Sequence, residues 1–128
     1  FHRAEAGDGE AVQGADVRYE IGDFLAREDA GVDVVFMFFP FVLEYALVRW
    51  GLPRAFFAPE RMLARVKACL RPGGLLVVVN HTDEEHAEQL ALLARAGMTI
   101  ERSERLDSEL VDYAHEARER HITVARAP

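Results

Sequence analysis

The residues best able to do chemistry stand where runs of strand-like sequence give out: Asp23, Phe24, Phe39, Pro40, Phe41, Asn80 and His81. In an open α/β sheet, ligands lie beyond the carboxyl ends of the strands. These residues are expected there. His81 is the candidate catalytic residue, because imidazole is the side chain most able to act as a base near neutral pH. Its alternative role is a polar strand end leading into the next helix. Asp23 is a short acid directly after a strand, either a ligand acceptor or a turn former and helix N-cap. Aromatic faces stabilise cations, so Phe39 and Phe41 either line a pocket or pack the core. Phe36 and Phe38 are read as core. Glu44 and Tyr45 follow closely and can orient or deprotonate a substrate, although Glu44 and Arg49 also suit a solvated face. Trp50 is read as core or interface.

Other chemistries lack their signatures. No Gly-x-Ser-x-Gly and no Gly-x-x-x-x-Gly-Lys-Ser/Thr occurs, which removes the common hydrolase and P-loop readings. Cys69 is the lone cysteine, so there is no disulfide framework, and a reducing cytoplasm fits. His86, His115 and His121 show no shared face with one another or with paired acids, and no metal site is expected.

The elements that must position these residues follow from periodicity. Residues 1–16 are small, polar and Gly-rich, a tail or helical remnant. Val17–Ile21 alternates apolar and charged residues as a strand does, and Phe24–Glu28 suits one helical turn. Val32–Phe39 is apolar on both faces, the pattern of a central parallel strand, and Pro40 stops it. Phe41–Trp50 has helical spacing. A helix starts at Ala58-Pro59-Glu60, and Arg71-Pro72-Gly73-Gly74 reads as a turn. Leu75–Val79 is a second buried strand. Thr82-x-x-Glu85 is a capping box, and Gly97 with Met98 ends the helix after it. Thr99–Arg105 and His121–Ala125 are the closing strands, with a helical segment or loop at Ser108–Glu119 between them.

Three pieces of this order are distinctive: Gly22-Asp23-Phe24 after a strand, the run Leu70-Arg71-Pro72-Gly73-Gly74-Leu75-Leu76-Val77-Val78, and Ala96-Gly97-Met98. Over residues 17–126 the chain resembles the C-terminal half of a class I S-adenosylmethionine-dependent methyltransferase. The resemblance implies an α/β, Rossmann-like, mostly parallel sheet with helices on both faces and an antiparallel C-terminal strand pair. It implies S-adenosylmethionine as cofactor. Asp23 would accept from the adenine amino group, with Phe24 beside the ring and Phe39 and Pro40 nearby. Phe41, Tyr45 and Asn80 would then meet the acceptor, with His81 as base. Some members carry Asp/Asn-Pro-Pro-aromatic where this chain has Phe38-Phe39-Pro40-Phe41, so the polar group that orients a target amine is missing here.

The family's N-terminal cofactor half, with its glycine-rich loop, has no counterpart. Gly7-Asp8-Gly9 follows no apolar strand and is rejected as that loop. Two strands would be missing between Val17–Ile21 and Val32–Phe39. The natural protein is therefore expected to be longer by roughly 100 residues. The expected function is methyl transfer to a small molecule. The alternatives are an inactive, methyltransferase-like association module using the Phe-rich segment and, less favoured by the closing strands, another Rossmann-like nucleotide binder.

Composition bounds the rest. The chain has 128 residues, half of them apolar and 29% charged, which suits one globular domain. Its net charge of −7 argues against binding nucleic acid or an anionic membrane. A small-molecule substrate and room for a homo-oligomer complete the expected partners.

Overall fold

A computed structural model describes residues 16–107 and 119–128. Four strands, β1 (Val32–Phe38), β2 (Leu70–Asn80), β3 (Thr99–Asp107) and β4 (Glu119–Arg126), form one sheet in the order β1-β2-β4-β3. Among the described residues three α-helices accompany them, α1 (Glu44–Arg49), α2 (Pro59–Cys69) and α3 (Asp83–Arg95). The α/β architecture and the antiparallel closing pair are as expected. β1 pairs with β2 in parallel, while β2 with β4 and β4 with β3 are antiparallel. One pairing of three is parallel, so the sheet is mixed rather than mostly parallel. The tail assigned to 1–16 and the segment Ser108–Glu119 lie outside the described residues, except for Asp16 and Glu119.

Local chemistry sets the element ends. Pro59 occupies the first turn of α2, where its missing N–H costs nothing. Thr82 Oγ1 accepts from Glu85 N at 3.1 Å and starts α3. Gly97, at φ +76°, closes α3 with Met98 N donating to Leu93 O at 3.1 Å. Lys67 adds a long reach from α2, donating to Ala96 O at 2.7 Å.

The core lies on one face of the sheet. Leu63 and Val66 of α2, with Leu92 and Leu93 of α3, pack against Leu76, Val78 and Ala125. Strand alternation sends Val34, Phe36 and Phe38 to the opposite face, where all three are exposed. Two expectations are corrected here. Among the described residues α2 and α3 cover a single face, not both. Among those residues Val32–Phe38 is an edge strand rather than a central one, and Phe36 and Phe38 are exposed rather than core. Apolarity on both faces reports that a strand needs two covers, not that these residues supply them.

Two further corrections concern turns and strands. Val17–Ile21 makes no ladder, and Tyr19 and Ile21 are exposed. Alternation supplies propensity, but a strand exists only against a partner. Arg71-Pro72-Gly73-Gly74 is not a turn between elements. It is an irregularity inside β2, where the register steps from Val32↔Leu70 to Val34↔Leu75. Gly73 N donates to Ala127 O, and Ala127 N donates to Gly74 O, so β4's end satisfies the bulged backbone.

A free, apolar strand edge is a template for another chain. The 128-residue chain alone is expected to self-associate, and the pair Phe36→Lys and Phe38→Lys is expected to shift it toward monomer in sedimentation velocity. An unchanged distribution would place the contact elsewhere.

Candidate functional site

The site is built at the carboxyl ends of β1 and β2. Phe39 leaves β1 in the left-handed region, φ +56°, a conformation that costs a non-glycine residue about 1–3 kcal/mol. Its N–H donates to Val79 O at 2.8 Å, which anchors it to the neighbouring strand. The Phe39 ring stacks on His81 with centroids 3.9 Å apart. The Arg120 guanidinium lies 5.3 Å from the Phe39 ring centroid. The residues that follow β1 and β2, with Arg120 of β4, thus form an aromatic and cationic stack.

A cavity of about 550 Å³ opens beside this stack, lined by Phe39, Pro40, Phe41, Ala46, Trp50, Leu52, His81 and Glu85. Pro40 also borders a second hollow of about 280 Å³ with Phe24, Phe36 and Met37. Phe24 and the strand-end residues Phe39, Pro40, Phe41 and His81 therefore converge on adjoining hollows. Tyr45 lies on α1, and its hydroxyl donates to Glu84 Oε2 at 3.0 Å. That bond to a carboxylate, aided by desolvation, raises the Tyr45 pKa and disfavours its phenolate. Tyr45 is thus suited to orienting a group rather than to taking a proton.

Asp23 takes the capping geometry. Its Oδ1 accepts from Leu25 N at 2.9 Å at the start of a 3₁₀ turn, Phe24–Ala26. The carboxylate is exposed, so Oδ2 keeps its capacity to accept. Asn80 is set deeper than a substrate contact requires. It is fully buried and donates to Gln89 Oε1 at 3.4 Å. The strand-end rule placed it correctly in the sheet but could not foresee which face its side chain takes.

Trp50 lines the cavity and is exposed, rather than buried in the core. Sequence reasoning missed Arg120 and Leu52, whose neighbours in the chain carry no motif. It also missed the histidines. The rings of His86 on α3 and His121 on β4 stack with centroids 4.5 Å apart, which corrects the reading that they share no face. His86 Nε2 lies 2.9 Å from Ser103 Oγ. Burial, reinforced by the neighbouring His121, lowers the His86 pKa against a weaker opposing pull from Asp83. His115 is outside the described residues.

No family model matches the chain, and no curated protein matches it. Solved structures do. A Haloferax volcanii protein in complex with the Trm112 methyltransferase activator aligns with TM-score 0.64 at 18% identity, over 91% of this chain and 64% of that one. The [4+2]-cyclase SpnF aligns with TM-score 0.60 at 17% identity, over 88% and 56%. Burkholderia thailandensis 1,6-didemethyltoxoflavin-N1-methyltransferase, solved with its substrate and S-adenosylhomocysteine, gives 0.59 at 19%, over 89% and 52%. The chain has the class I methyltransferase fold, and it spans between half and two thirds of these structures. That a cyclase shares the fold shows that architecture alone does not fix chemistry.

Proposed function

We propose that this chain carries the acceptor side of an S-adenosylmethionine-dependent methyltransferase acting on a small molecule. The observation that carries this reading is the aromatic cavity at the carboxyl ends of β1 and β2, on a class I methyltransferase fold. The residues present fit such a cofactor in two respects. Phe41 and Trp50 bring aromatic rings to the cavity beside which a sulfonium would sit, and the exposed Asp23 carboxylate retains an acceptor oxygen for an adenine amino group.

When bound, S-adenosylmethionine supplies a methyl group activated by positive sulfur. The chain's own part is placement and dryness. Phe39, Phe41 and Trp50 exclude water from the cavity. His81, held against Phe39, is placed to take the proton that an acceptor oxygen or nitrogen loses on attack. Tyr45, fixed on Glu84, orients the acceptor from the α1 side. We propose a cytoplasmic setting. Among the described residues no helix is long and apolar enough to cross a membrane.

The reading leaves the cofactor's methionine and ribose contacts to further strands and helices, which would pack on the β1 edge and on the face of Val34, Phe36 and Phe38. That same bare face favours a second reading, a methyltransferase-like module retained for association. Calorimetric titration of the whole gene product with S-adenosylmethionine and S-adenosylhomocysteine separates the two. Micromolar binding of both supports the enzyme, and absence of binding supports the association module. In a binding-competent protein, Asp23→Ala is expected to weaken S-adenosylmethionine by about tenfold. An unchanged dissociation constant would leave Asp23 as a helix cap only.

A further inference from the structure

Next to the aromatic cavity, α3 and β4 assemble donors of a different kind. Asp83 is the first residue of α3, while Glu119 and His121 are the first and third of β4. One ligand atom from each, two carboxylate oxygens and an imidazole nitrogen, lie within 4.8 Å of one another. His121 is 5% exposed and pairs across the sheet with Asn80. Its Nε2 is 2.9 Å from Asp83 Oδ1, yet that atom makes no hydrogen bond. The carboxylate is near Nε2 but off the line an N–H would take. A buried imidazole nitrogen thus faces two carboxylates without a hydrogen-bond partner of its own.

We propose that Asp83, Glu119 and His121 bind a first-row divalent cation, Zn²⁺ in preference to Mg²⁺. Donors about 2.1 Å from a common ion are separated by roughly 3–4 Å, which the cluster can meet. Imidazole nitrogen suits Zn²⁺ and is a poor ligand for Mg²⁺. Two carboxylates balance the ion's charge. Three protein ligands leave a coordination position for water or for an oxygen of a small molecule. The surroundings hold the ligands in place. Arg105 donates to Glu119 Oε1 at 2.8 Å, which orients that carboxylate, and the His86 ring, itself bonded to Ser103, stacks on His121. Arg105 is also the competitor the ion must coexist with. The site does not depend on methyl transfer, since its ligands lie outside the cavity lining.

The test is calorimetric titration of chelator-treated whole gene product with ZnCl₂ and, separately, MgCl₂. One equivalent of Zn²⁺ is expected to bind, with Mg²⁺ weaker by at least about a hundredfold. Asp83→Asn, an exposed substitution at a helix start, is expected to weaken Zn²⁺ at least about tenfold. His121→Gln is expected to do the same, with circular dichroism reporting that it folds. No Zn²⁺ binding, or binding unchanged in Asp83→Asn, would overturn the site and leave His121 and Asp83 as close neighbours only.

Discussion

Leu93→Ala is expected to lower the unfolding free energy by about 3–4 kcal/mol. Leu93 is fully buried in the last turns of α3 and belongs to the cluster that joins α2, α3 and the covered face of the sheet. Its neighbours Leu76, Val78 and Val66 are also fully buried. They sit on β2 and α2, which are tied by ladder bonds and helix bonds and cannot collapse into the void. The cost therefore falls in the middle of the range for leucine truncation rather than at its lower end. Urea denaturation should show a lower midpoint at an unchanged slope. A loss below about 1 kcal/mol would mean that α3 is not seated on the sheet as described. The functional consequence is local, because α3 carries Glu85 into the cavity lining.

Gly74→Ala is expected to cost about 2–3 kcal/mol, more than Gly73→Ala next to it. The two glycines are needed for different reasons. At Gly74 an added Cβ would lie 2.9 Å from Arg71 O, 3.1 Å from Leu70 Cδ2 and 3.1 Å from Val32 O. Two of those atoms are backbone, and Val32 belongs to β1, so relief requires moving the first rung of the parallel pair. At Gly73 the obstacle is conformational. Its φ of +74° costs an alanine about 1–2 kcal/mol, but the nearest atoms are side-chain nitrogens at 3.8 Å or beyond. Thermal melts of the two variants, compared side by side, test the order. Greater damage from Gly73→Ala would show that the bulge in β2 is not pressed against β1.

Much of this was legible in the chain. Leu75–Val79 is apolar without interruption, the pattern of a strand set inside a sheet, although Leu75 and Val77 on its second face are only half-buried. β2 is paired on both edges. Thr82 and Gly97 bracket α3 because hydroxyl capping and left-handed closure are local events that involve a few adjacent residues. The strand-end rule also brought Phe39, Pro40, Phe41 and His81 to one cavity, since the carboxyl end of a parallel strand is fixed by direction alone. Val17–Ile21 failed for the opposite reason. Its alternation is sound, but no neighbouring strand meets it among the described residues.

From β1 to β4 the local pattern was enough to order the strands and helices, to place the caps at Pro59, Thr82 and Gly97, and to locate the end of the sheet at which polar and aromatic residues gather. These depend on contacts within a turn or two, or on strand direction. Tertiary structure alone decided which residues from distant segments meet. Arg120 over Phe39, His86 on His121, and the approach of Asp83 to His121 join α3 and β1 to β4, and each depends on the β2–β4 register that sets His121 opposite Asn80. A shift of one residue would turn His121 to the other face of the sheet and dissolve the cluster. Periodicity cannot encode that register, because it is settled by how the whole buried face packs.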